Sequence, residues 1–209
     1  MKTRSKALLL SLCAVLLVAA SVFGTMAYLT SNDSVVNTFT VGSVSITLDE
    51  ADVKTDGTYE TNHDSRVEAN NYKLMPGHTY IKDPTIHVGS NSEDCYLFVK
   101  VVDEIAAIEG DVTVANQMAA NGWVAVDGVE NVYVYATDKT KPTAVSANSN
   151  VIVFDHFTVK GDVSNDENAE TKLSDFKDMT ITVTAYAVQK DGFESKTAAE
   201  IWNATFGNK

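Results

Sequence analysis

Four histidines (His63, His78, His87, His156) and Cys95 are the residues of this 209-residue chain best suited to metal or nucleophile chemistry. A catalytic zinc needs three neutral or anionic ligands and a base, usually visible as HExxH or as a histidine pair one helical turn apart. Neither pattern occurs, so a zinc site would have to be assembled from scattered residues such as His78 after a turn and His156 at a strand bend. GxSxG, P-loop and GxGxxG motifs are absent as well. Cys95 lies in the apolar run Cys95 to Val102 with no electropositive neighbour before Lys100, which suits a buried thiol acting as a small hydrophobe. Asp162 to Asn168 (DVSNDEN) is oxygen-rich but lacks the glycine and terminal glutamate of an EF-hand loop, so it offers calcium weak binding at most. The residues therefore predict no catalytic group, no cofactor-binding residue and no metal ligand; a non-enzymatic protein is expected.

The chain begins as a secretory leader. Lys2, Arg4 and Lys6 precede the apolar run Ala7 to Ala20, and Thr25-Met26-Ala27 places small residues where a signal peptidase needs them. Cleavage is expected between Ala27 and Tyr28, giving a signal peptide over 1–27. Loss of that segment takes the chain from 209 to 182 residues, enough for one domain with a real core. It also takes the formal charge from −12 to −15. A surface of that sign repels nucleic acid and anionic lipid, so neither is an expected partner. Cys95 would then be the sole cysteine, so the core must be held by burial and backbone ladders.

The remainder reads as mostly strand. Val41 to Leu48 alternates, with Val44, Ile46 and Leu48 on one face and Ser43, Ser45 and Thr47 on the other. Asp49 to Asn71 is acidic and aperiodic, and is expected to be a long surface excursion with a short helix or little order. Tyr72 to His78 reads as a short strand stopped by Pro76-Gly77. Tyr80 to Val88 is extended, and Pro84 points to an edge strand or a bulge. Cys95 to Val102 is apolar enough for a central strand. Glu104 to Ala120 suits one or two helical turns. Trp123 to Val126 and Val132 to Ala136 form a hairpin about Asp127-Gly128, and Val151 to Val159 is a strand bent at Asp155-His156. Met179 to Val188 alternates cleanly, and Lys196 to Phe206 suits an amphipathic helix capped by Ser195. About eight strands with long loops predict an all-β fold: a two-sheet antiparallel β-sandwich, jelly-roll-like, over 43–209 with a short C-terminal helix.

One segment has no place in that domain. Residues 28–42 carry Leu29, Val35, Val36, Phe39 and Val41 spaced by polar residues, and Val35, Phe39 and Val41 share a parity. The segment could be the first strand of the chain's own sheet. It could equally be a donor strand that satisfies unpaired amides on another copy, a heterologous contact that does not close and so grows a filament.

The N-terminal residues carry a resemblance. Gly24 to Thr30 after the short apolar run is similar to the SipW-dependent class of signal peptide. Asn37 to Leu48 (NTFTVGSVSITL) resembles the start of the TasA and camelysin (CalY) proteins, and Leu74 to Pro84 and Ile181 to Gly192 resemble their later strands. The resemblance implies a secreted, extracellular β-sandwich subunit of Gram-positive biofilm matrix fibres. It implies a homopolymer through donor-strand complementation, cut by a specialised signal peptidase and associating with other matrix proteins. Camelysin is also classed as a metalloendopeptidase, so a cell-surface protease is the alternative, and a monomeric adhesin-like sandwich is a third.

Overall fold

β-branched and aromatic residues fill the segments between Val44 and Gln189, and they form strands. The computed structural model describes residues 6–7, 10–18, 42–60, 64–137, 141–164, 166 and 171–207. Two units are distinguished, Met1–Val41 and Gly42–Lys209. In the first, residues 10–18 are helical (α1) with exposed side chains. No helix among the described residues is long and apolar enough to cross a membrane. The cleavage pair Ala27 and Tyr28, and Leu29, Val35, Val36, Phe39 and Val41 of the expected donor strand, lie outside the described residues.

The second unit is a mainly antiparallel β fold. Its strands are β1 (Ile46–Ala51), β2 (Arg66–Val67), β3 (Thr79–Ile81), β4 (Thr85–Val88), β5 (Cys95–Asp103), β6 (Trp123–Ala125), β7 (Val132–Tyr135), β8 (Ala144–Val145), β9 (Asn150–Ile152), β10 (His156–Thr158) and β11 (Ile181–Gln189). They form a sheet in the order β2-β1-β4-β9, a pair β10-β3, and a sheet β11-β5-β7-β6 with β8 beside β5. Helix α2 (Val114–Ala120) precedes β6, and α3 (Ala198–Thr205) follows β11.

Both faces of β5 are covered. Cys95, Leu97, Val99 and Val101 pack into the main core with Ile86, Val88, Tyr80, Trp123 and Phe157. Tyr96 and Phe98 enter a second cluster with Val132, Val134, Ile201 and Trp202 under α3. This double burial over Cys95 to Val99 is why the strand opens as an apolar run, while Lys100 and Val102 on the second face are exposed. Helix α3 is held at its start by a capping box in which Thr197 Oγ1 accepts from the Glu200 amide and the Glu200 carboxylate accepts from the Thr197 amide.

Several expectations need correction. Eleven strands, not about eight, are present among the described residues, because pairs as short as β2 and β8 carry no readable period. The described parts of the acidic stretch, 49–60 and 64–71, are built into the fold: β1 runs through Ala51, Val53 bridges Tyr59, and Ala51 and Val53 are buried. Tyr72 to His78 is not a strand. Pro84 marks neither an edge strand nor a bulge; it separates β3 from β4, which belong to different sheets, and β4 is an inner strand. Lacking an amide donor, proline suits the residue where one ladder stops and another begins. The α3 cap is Thr197, not Ser195.

Candidate functional site

Strand β11 is the longest edge strand among the described residues. One side pairs with β5 through nine consecutive positions, Ile181↔Asp103 to Gln189↔Cys95. The other side meets no strand among the described residues. Strand β1 is similarly half-open: Ile46 to Asp49 pair with β4, while the opposite side is covered by β2 only at Glu50 and Ala51. Such rows of unpaired N–H and C=O groups are templates for another strand.

Between these two edges lies a cleft of about 870 Å³ lined by residues of β1, β11 and the segment 68–74. Its walls are apolar residues left half-buried. Leu48 on one side, and Ile181 and Val183 on the other, touch the core without being enclosed by it. Ile105 and Phe157, both buried, also line it. The 3-10 turn Leu173–Phe176 and Met179, 43% exposed, form one lip. Asp178 there adopts a positive φ of 66°, which redirects the chain into β11.

Charged Asp49, Glu50 and Lys82 line the cleft as well, with Arg66 beside them. Arg66 joins Asp49 (Nε–Oδ1 2.7 Å) to Asp83 (Nη1–Oδ2 2.6 Å), and so pins β2 to the start of β4. Burial would raise the Asp49 carboxyl, but hydrogen bonds from Arg66 and His87 hold it below the ordinary carboxylate value. Lys82 Nζ lies 2.6 Å from the buried Glu50 Oε2, and Asn70 Nδ2 donates to Glu50 Oε1 at 2.9 Å. Burial pushes the Tyr72 phenol well up, with Glu50 and Asp83 adding to the effect.

The residues first suspected of chemistry are dispersed. His78 Nε2 is 2.7 Å from the Asp56 carbonyl, His87 sits between Asn150 Oδ1 and Asp49 Oδ1, and His156 meets Asp155. His63 lies outside the described residues. Among the described residues, no group of three or more His, Cys, Asp or Glu could hold a metal ion. In the oxygen-rich loop, Asp166 N donates to Ser164 Oγ, while Asn165, Glu167 and Asn168 lie outside the described residues. Cys95 is buried, and burial together with Asp94 pushes its thiol up to about 11. The buried Glu109 accepts from the Val114 amide at 3.0 and 3.2 Å, and burial pushes its carboxyl up to about 7.

Sequence reasoning located β1 and β11 but not their shared cleft, nor the Glu50, Lys82 and Asn70 contact. No spacing rule signals either, because the partners are brought together by the fold: Lys82 is 32 residues from Glu50, and Asn70 is 20. Comparison with known proteins returns no matching family, no similar curated protein and no similar solved structure.

Proposed function

We propose that this chain is a secreted structural subunit that polymerises into extracellular fibres, with segment 28–42 of one copy adding as a strand to the next. In this reading the two larger sheets form a jelly-roll-like sandwich that lacks one strand. The observation that supports it is the cleft between β1 and β11, with open ladder edges on both sides and half-buried apolar walls. An incoming strand would pair its amides with those edges and lay Val35, Phe39 and Val41, which share a parity, against the core. Each copy then carries one donor and one acceptor, so the contact propagates rather than closes. Cations would screen the repulsion between acidic copies. This is the assembly mode that the TasA and camelysin resemblance implies, with a specialised signal peptidase exposing the donor end.

The decisive experiment is truncation. A chain starting at Gly42 is expected to remain a folded monomer that forms no fibres. Fibre growth unchanged by that truncation would remove strand donation from consideration. A peptide spanning 28–42 is expected to cap growth. Phe39→Asp is expected to weaken docking sharply, because a buried unpaired carboxylate costs several kcal/mol; electron microscopy and sedimentation read both.

A further inference from the structure

We propose that Lys82 and Asn70 are joined by an intramolecular isopeptide bond, formed with Glu50 as the proton carrier. The geometry has the parts such a condensation needs. The amine nucleophile, Lys82 Nζ, and the leaving group, Asn70 Nδ2, are held by the two oxygens of one carboxylate, at 2.6 and 2.9 Å. That carboxylate is withdrawn from water, its side chain 5% exposed, and the Lys82 side chain is 12% exposed. The electrophile is held too: Asn70 Oδ1 accepts from the Val53 amide at 3.0 Å, and Nδ2 also donates to the Ala51 carbonyl at 2.8 Å. The Tyr72 ring, with its centroid 6.0 Å from Lys82 Nζ, stands over the amine. The carboxamide's oxygen and nitrogen are both fixed by buried backbone, which holds Cγ in place.

The step balances without an outside reagent. A proton moves from Nζ to Glu50 Oε2 across their 2.6 Å contact, leaving a neutral amine and a neutral acid. The amine lone pair attacks Asn70 Cγ, and the carbonyl electrons move to Oδ1, where the Val53 N–H stabilises the oxyanion. Glu50 gives its proton to Nδ2 through Oε1 and takes one from Nζ. The Cγ–Nδ2 bond breaks, ammonia leaves, the carbonyl re-forms, and Glu50 retains one proton. The new amide links the end of β3 to the segment after β2, closing the chain between residues 70 and 82.

Mass spectrometry of the purified full chain tests this, independently of whether it forms fibres. The intact mass is expected to fall short of the sequence mass by one ammonia. A tryptic digest is expected to contain 67–73 joined to 74–100, with cleavage after Lys82 abolished. Lys82→Arg, which keeps a cation beside Glu50, and Glu50→Gln are expected to give the full mass and separate peptides. If the unaltered chain yields residues 67–73 as a linear peptide and cuts after Lys82, the contact is a buried ion pair only and the proposal fails. Ammonia lost through an asparagine succinimide leaves the peptides separate and counts against it equally. Because the unaltered chain alone decides, a variant that fails to fold does not blur the answer.

Discussion

Strand β11 meets two different surroundings, on opposite faces at its two ends. Toward its C-terminal end, Tyr186 and Val188 lie under α3, where Trp202 packs on Tyr186 and Phe98 with ring centroids 5.0 and 5.7 Å apart. Toward its start, Ile181 and Val183 border the cleft and stay half-exposed. Tyr186 and Val188 have a helix of the chain itself over them and stay half-buried; Ile181 and Val183, equally half-buried, touch the main core and face the open cleft. Apolar residues alternating on a strand thus mark a surface meant for burial, and whether the covering element comes from the same molecule is a separate matter.

The sharpest way to break this contrast is at the closed end. Trp202→Ala removes the ring that seals α3 onto the sheet, and is expected to cost about 3–5 kcal/mol, read by chemical denaturation. Next comes the buried Glu109. Its native carboxyl titrates near 7 rather than 4.5, so the folded state holds the proton more tightly than the unfolded chain. Stability should therefore fall as pH rises from about 4.5 to about 7 and then level off. Glu109→Gln, which can still accept from the Val114 amide, should remove that slope and gain on the order of 2 kcal/mol at pH 8 relative to the unaltered chain. Thr197→Ala should loosen α3 at its cap and cost about 1 kcal/mol in thermal unfolding.

The smallest effect belongs to the open end. Val183→Thr at the half-exposed cleft wall should change the stability of a chain starting at Gly42 by no more than about 0.5 kcal/mol, since its hydroxyl stays hydrated. Adding the 28–42 peptide should then expose a difference of about 1–3 kcal/mol in binding, because the covered hydroxyl loses its water. Equal peptide affinity for both chains, measured by calorimetry, would mean that this wall is not part of a docking surface.

Much of the fold was legible from pattern. The alternation of Met179 to Val188 located β11, the continuous run at Cys95 located the doubly buried β5, and Asp127-Gly128 located the β6–β7 hairpin. The Thr197 cap was missed in favour of Ser195, although Thr197-Ala198-Ala199-Glu200 has the capping-box spacing that Ser195 lacks. Residues 49–60 and 64–71 were not legible, because they are held by side-chain bonds rather than by periodic burial: Arg66 to Asp49 and Asp83, and Asn70 to the Val53 amide. The candidate site was half legible. Its strands follow from local alternation, but which edges remain unpaired depends on pairings between residues far apart in the chain, as in Gln189↔Cys95.

The nine-rung ladder between β5 and β11 carries a mechanical corollary. A pull directed along these antiparallel strands loads every rung simultaneously, in shear, whereas a pull across them would peel the rungs one after another. A filament whose tension ran parallel to β11 would therefore resist stretching at the strongest orientation this sheet can offer.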